Sequence, residues 1–218
     1  MVRKLFLYVA ALFLCTSLQA QEQFFSSIPG NTLKWAIYEG EKQTLFGYCE
    51  ETLVSMNGDS QNAQVKYSYR FYDKKGKSVI GKDPFEFQVD IVDGKVTAHV
   101  SDMFKAIKSG DYMYVGDIST IPADIEVGTK LKDSEIKAKL LDIFDTKNEF
   151  KNRSVTDKCE IEVPAGKFDC YLIEDEEYFS GKGPFGVKTW VSRGVGIVRQ
   201  EIRNKKGEIT QIYVLESK

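Results

Sequence analysis

Apolar and polar residues alternate one by one along several stretches of this chain. In QVKYSYRFYD the apolar positions are Val65, Tyr67, Tyr69 and Phe71. In PFEFQVDIVDG they are Phe85, Phe87, Val89 and Ile91. Because successive side chains of a β-strand point to opposite faces, each stretch predicts a strand with one face toward a core and the other toward water. One-sided strands of this kind are typical of antiparallel sheets.

Short polar loops that contain a glycine separate the predicted strands. They are YDKKGKS, IVDGKVT and RNKKGEIT, and each suits a hairpin in which glycine adopts a positive φ. The C-terminal third continues the pattern, with strands predicted over 159–163, 168–174, 187–192, 197–203 and 208–215. The sequence therefore predicts a mainly β fold, a meander in which each strand pairs with its neighbours along the chain.

Two segments carry a helical pattern, so that one or two short helices are expected as well. SDMFKAIKSG, residues 101–110, begins at a capping residue, Ser101 or Asp102, and ends at Gly110, which suits a short helix. In the segment 133–150 the apolar residues fit both a helical stripe and an alternating strand. We favour a strand there because the rest of the chain is rich in strands.

The chain opens with the pattern of an export signal. Arg3 and Lys4 precede an apolar run at 5–14, and Ala20 stands where a signal peptidase would cut. The run is about half the roughly 20 residues that a permanent membrane-spanning helix needs. We therefore expect a signal peptide over 1–20.

The remaining residues, 21–218, suit a single domain, because no linker or low-complexity tract divides their sequence. We expect a soluble mature protein without a transmembrane segment, located in the periplasm. Secretion, or attachment to the envelope through a lipid on Cys15, is the alternative. The sequence leaves the oligomeric state open.

The charge of the mature chain argues against two classes of partner. Removal of the signal peptide leaves 28 Lys and Arg against 32 Asp and Glu, a net charge of −4. Nucleic acids and anionic lipid headgroups attract proteins that carry a basic patch, and no run of basic residues in this chain exceeds two. We expect neither as a general partner.

Three cysteines remain after the signal peptide, and two of them flank a Pro-Ala-Gly turn. In CEIEVPAGKFDC, Cys159 and Cys170 stand at matching distances from the turn at 164–166. Directly opposed residues of a hairpin have Cβ atoms about 4.5–5.5 Å apart, close to disulfide geometry. We predict a disulfide between Cys159 and Cys170, with Cys49 free and buried. A bond between Cys49 and either of the other two is the alternative.

Residues suited to catalysis or metal binding are few. The one histidine, His99, lies in an alternating strand, and the sequence contains no Cys-x-x-Cys pair. The acidic run EDEE at 174–177 points to alternating faces of a strand and is interpreted as a solvated strand end. We predict a protein that is not an enzyme, with no catalytic residue, no metal site and no cofactor.

Three longer motifs resemble a known family. They are FFSSIPGNTLKWAIYEGE, VPAGKFDCYLI and KTWVSRGVGIVRQEIRNKKGEITQIYVLES. Their combination is similar to the TapB-like family of exported proteins of Gram-negative bacteria, over nearly the whole mature chain. The resemblance implies a single antiparallel sheet curled into a half-barrel or roll, similar to carriers of the LolA-like type. It implies no catalytic residues.

A curved sheet of this kind suits binding. Its concave face would hold an apolar small molecule, a lipid or a peptide. The aromatic residues expected to line that face are Tyr67, Tyr69, Phe71, Phe85, Phe87 and Trp190. The simpler role of each aromatic is to fill the core. The alternative function is an adaptor or structural protein of the cell envelope, which binds a partner protein and takes no small molecule.

Overall fold

The computed structural model describes most of the chain that follows the predicted signal peptide. The described residues are 28–58, 62–79, 83–92, 95–100, 112–117, 121, 124–140, 144–179 and 181–218. The predicted signal peptide at 1–20 and the predicted helix at 101–110 lie outside them. Within the described residues, no helix has the length and apolar character needed to cross a bilayer.

Twelve β-strands form the described part of the fold. In chain order they are β1 (Thr32–Glu39), β2 (Thr44–Gly58), β3 (Ala63–Asp73), β4 (Phe85–Val92), β5 (Lys95–Val100), β6 (Tyr112–Asp117), β7 (Ser134–Leu140), β8 (Phe144–Val163), β9 (Gly166–Phe179), β10 (Lys182–Ser192), β11 (Gly196–Arg203) and β12 (Ile209–Ser217). The mainly β prediction is confirmed. The ambiguous segment 133–150 supplies β7 and the first part of β8, as favoured from its alternation.

The strands form one antiparallel meander that closes on itself. Each strand pairs with the strands before and after it in the chain, and β1 pairs with β12 as well as with β2. The predicted curled antiparallel sheet is therefore confirmed. Its curl continues past a half-barrel or open roll, because the pairing of β1 with β12 closes the ladder into a barrel.

The hairpin of β8 and β9 turns where the sequence predicted. Val163 pairs with Gly166 across the two residues Pro164 and Ala165. Gly166 has a φ of 127°, a conformation that residues with a side chain rarely adopt. The turn therefore fixes the register between the long strands β8 and β9.

Alternate residues of the strands point into the closed sheet and build the main core. The largest fully buried side chains of this core, within the described part, are Tyr67, Phe150, Ile37, Ile212, Leu215 and Val65. Trp35 of β1 ties this core to the far end of the chain, because its Nε1 donates a hydrogen bond of 3.1 Å to the carbonyl oxygen of Ile197. Both ends of the described chain therefore enclose the same interior.

The segment before β7 covers a second, smaller apolar cluster. Ile121, Ile125 and Leu131 pack there. Their partners on β8 to β11 are Val155, Ile173, Val191 and Ile197. Backbone hydrogen bonds tie the segment to β8, from the N–H of Gly128 to the Val155 carbonyl at 2.8 Å and from the N–H of Leu131 to the Arg153 carbonyl at 3.0 Å.

Phe150→Ala tests the position of the core. We expect it to lower the free energy of unfolding by about 3–5 kcal/mol, because it removes a buried ring and leaves a cavity; Phe150 is 1% exposed. Urea unfolding followed by circular dichroism measures the loss. Phe46→Ala removes the same atoms from a ring that is 36% exposed, and its loss should be clearly smaller. Equal losses would show that Phe150 is not a core residue.

Candidate binding site

Three of the predicted lining residues share the inner face of β3. Tyr67, Tyr69 and Phe71 are between 2% and 3% exposed. The ring centroids of Tyr69 and Phe71 are 6.5 Å apart and nearly parallel, and those of Tyr67 and Tyr69 are 6.2 Å apart. The alternation along β3 therefore places an aromatic row on the inner wall of the sheet, in contact with the main core.

The other three predicted residues are placed differently. Phe85 and Phe87 of β4 stand opposite Tyr69 and Tyr67 in the strand register, but their side chains lie outside the described part. Trp190 of β10 alternates with the buried Thr189 and Val191; it is partly buried and packs against the main core, and the Arg199 guanidinium sits 5.8 Å from its ring.

A carboxyl group faces the same aromatic row. Glu51 of β2 is directly opposite Tyr69, and the Tyr69 hydroxyl donates a hydrogen bond to its Oε2. Burial raises the pKa of Glu51 to about 7, and the hydrogen bond from Tyr69 opposes the shift. Burial and the neighbouring carboxylate also hold the pKa of Tyr69 well above its ordinary value. The Glu51 carboxyl group on the inner wall is therefore partly protonated near neutral pH.

A bulge in β8 adds an arginine to the interior. Lys151 pairs with Glu176 and Ser154 with Glu174, so two residues of β8, 152 and 153, stand against one residue of β9, Asp175. Such a bulge redirects side chains. Asn152 adopts a φ of 55° there, and the Arg153 Nε lies 3.6 Å from Asp175 Oδ2.

Two carboxyl groups of β9 share this part of the interior. Asp175 is opposite Val187 and Glu177 is opposite Phe150, and both of those partners are buried in the main core. Burial raises the pKa of Asp175, and burial together with the Asp175 charge raises the pKa of Glu177. The positive charge of Arg153 opposes both shifts. The pair of carboxyl groups therefore remains partly protonated at neutral pH.

Cys49, Cys159 and Cys170 are thiols in this structure. Cys159 lies directly opposite Cys170, as the turn predicted, but the predicted disulfide between them is not formed. Cys49 is a free buried thiol, as expected. Burial and the neighbouring Cys159 raise the pKa of Cys170 to about 12, so the Cys170 sulfur is protonated at neutral pH.

Several site residues escaped the sequence reasoning. In the alternation of β9, Asp175 and Glu177 fall on the same face as the buried Ile173. This signal in the sequence could have placed them inside. The solvated strand end predicted at 174–177 therefore differs from the structure for two of its four acids. Glu51 likewise continues the apolar phase of its strand. No signal marks Arg153, because a bulge shifts the alternation at that point.

Glu51→Gln tests the buried carboxyl group. The pKa of Glu51 rises from 4.5 to about 7 on folding, so the folded protein binds more protons than the unfolded chain between those values. The free energy of unfolding should therefore fall as the pH rises from about 5 to about 8. Glu51→Gln should remove about 1–3 kcal/mol of that fall, measured by urea unfolding across the pH series.

Glu50→Gln is the matched control for this prediction. Glu50 is the adjacent residue on the outer face, where its carboxylate lies near Lys34 and accepts a hydrogen bond from the Tyr72 hydroxyl. Glu50→Gln should leave the pH dependence of the free energy of unfolding nearly unchanged between pH 5 and pH 8. If Glu50→Gln flattens the profile as much as Glu51→Gln does, the inner position of Glu51 is not the cause.

Comparison with known proteins identifies the family and the fold. A crystal structure from Bacteroides fragilis, described as an exported protein with a YmcC-like fold, matches with a TM-score of 0.66 at 20% identity over 89% of this chain and 97% of that one. A lipoprotein structure from Parabacteroides distasonis matches with a TM-score of 0.64 at 17% identity over 91% of this chain and 99% of that one. No curated protein matches the chain.

Both descriptions agree with the export signal expected from the sequence, whereas the TapB-like family and the LolA-like fold are not confirmed by these matches. A family model covers residues 29–215, nearly all of the closed sheet. The chain belongs to the DUF3108-like family.

Proposed function

We propose that this protein is exported and binds an apolar or amphipathic small molecule inside its closed sheet, without transforming it. The observation that carries the proposal is the number of strands in the closed ladder, which is twelve. About eight strands close around an interior that side chains just fill or that holds one small ligand, and the width grows with the strand number. A closed sheet of twelve strands therefore encloses a wider interior than one of eight strands.

The side chains on the inner wall favour an amphipathic ligand. The aromatic row of β3 offers apolar surface. Glu51 on one side, and the group of Arg153, Asp175 and Glu177 on the other, offer hydrogen bonds and charge. Ligand sites of proteins combine a mostly apolar lining with a few polar groups that fix orientation. The inner wall has this composition.

Val65→Trp tests binding in the interior. Val65 is fully buried on the inner face of β3, two residues from Tyr67, so a larger side chain there occupies interior space. We expect the apolar fluorescent probe N-phenyl-1-naphthylamine to bind the protein, and Val65→Trp to weaken that binding about tenfold or more, the equivalent of about 1.4 kcal/mol. Probe fluorescence during titration measures the change.

Val54→Trp is the matched control, because Val54 is an exposed valine of the neighbouring strand β2. It should bind the probe like the unmodified protein. Urea unfolding of both variants separates weaker binding from a loss of the fold. Native mass spectrometry of protein purified from bacteria gives a second measurement. An apo mass with no probe binding would contradict the proposal and favour an envelope adaptor that binds a partner protein.

We also propose that Cys159 and Cys170 form a disulfide in an oxidising compartment, since they are directly opposed across β8 and β9. Glutathione disulfide would accept the two electrons, and each thiol would lose its proton as the bond forms. After equilibration with it, thiol titration of the unfolded protein should find one thiol, that of Cys49. Cys49→Ala should then leave none. Three thiols after the same treatment would refute the bond.

A further inference from the structure

A group of polar side chains lies on the inner face of β7, β8 and β9, which we call the inner polar cluster: Ser134, Arg153, Asp175 and Glu177. Ser134 is directly opposite Phe150, and Phe150 is directly opposite Glu177. Opposed residues of antiparallel strands share a face. Ser134 and Glu177 therefore flank the buried Phe150, and the cluster faces the same interior as the main core.

Two oxygens of the inner polar cluster are buried without a hydrogen-bond partner among the described residues. Ser134 is 7% exposed, and its Oγ has none. The Asp175 side chain is 10% exposed; its Oδ2 faces Arg153, while its Oδ1 has none. Buried polar atoms in proteins are nearly always hydrogen-bonded, so each of these two oxygens calls for a partner, such as a water, an ion or a polar group of a ligand. The cluster is therefore incomplete without a further polar group.

The chemistry of the cluster selects the kind of group that completes it. A carboxylate accepts hydrogen bonds and donates none, so Asp175 Oδ1 requires a donor. Two acidic groups, Asp175 and Glu177, stand against the single guanidinium of Arg153 within the cluster, and a bound cation stabilises their ionised forms, which favours a cation over an anion. A primary ammonium supplies three N–H donors and one positive charge.

A metal ion fits these residues less well. Within the described part of the chain, no group of three or more histidine, cysteine, aspartate or glutamate side chains is placed to hold one. The guanidinium beside Asp175 would also repel a divalent cation. An organic ammonium can share the cluster with Arg153, because its charge is single and its N–H groups reach separate oxygens.

We propose that the inner polar cluster binds the primary ammonium group of an amphipathic ligand, whose apolar part lies along the core beside Phe150 and Val187. This inference rests on the proposed function and specifies its ligand class, a primary alkylamine. Asp175 and Ser134 accept hydrogen bonds from the ammonium group. The charge of the ammonium favours the ionised form of both carboxyl groups, so that Glu177 releases its proton on binding and supplies the second negative charge. Arg153, which the bulge in β8 directs inward, holds Asp175 in place through their ion pair.

Four ten-carbon probes test this assignment on the mature protein by isothermal titration calorimetry at pH 7.5. Decylamine carries the ammonium group, with its positive charge and its N–H donors. Decyltrimethylammonium carries the positive charge without N–H donors. Decanol carries no charge and no N–H donor, and decanoate carries a negative charge. Decylamine should bind at least about tenfold more tightly than the other three. Asp175→Asn should reduce its affinity to that of decanol.

Glu174→Gln is the matched control, because Glu174 lies on the same strand but on the outer face, paired with Lys188. It should preserve the preference for decylamine. Glu177→Gln replaces Asp175→Asn if the latter variant does not fold, with the same expected loss of preference. A preference for decylamine that survives both inner substitutions would overturn the assignment.

The probes also separate this inference from the proposed function. If decanol and decylamine bind equally well, the interior binds apolar molecules and the ammonium assignment is wrong. Tighter binding of decanoate than of decylamine also overturns the assignment. If none of the four probes binds, both the assignment and the proposed function fail.

Discussion

The pairing of β1 with both β2 and β12 is the constraint on which the interior depends. Through this pairing, a strand from the first quarter of the chain separates the last strand from the second, and the ladder closes. Closure leaves no free edge between those strands. It also gives every alternating strand one face toward a common interior, so that residues far apart in the chain meet there, as Trp35 and Ile197 do.

Closure has an electrostatic consequence. Acids on the inner phase of a strand are carried out of water, which disfavours their charged form. The fold meets this in two ways. Glu51 accepts a hydrogen bond from Tyr69, whereas Asp175 lies beside an arginine that a bulge directs inward. Both arrangements place polar groups on a wall that is mostly aromatic and aliphatic. An interior of this kind suits the orientation of a ligand with a polar end.

The matches to solved structures establish architecture, and function depends on the groups that each protein places on it. At 17–20% identity, the shared fold is the closed or curled antiparallel sheet. The groups on which the function of this chain would depend are its inner acids, its bulge and its aromatic row. Binding is a consistent role for them, because they combine apolar surface with a small number of oriented polar groups on rigid strands.

The sequence by itself determined the mainly β class, the antiparallel arrangement, the strands with a clear alternation and the β8–β9 turn. Alternation and turn glycines are local properties, so Tyr67, Tyr69 and Phe71 could be assigned to one face and Cys159 placed opposite Cys170 without a structure. Such local patterns do not say whether the two ends of a sheet meet. Only the tertiary structure decided the closure and the inward turn of Arg153. The physical reason is that closure depends on hydrogen bonds between distant strands, and a single extra residue in a bulge reverses the faces that alternation assigns.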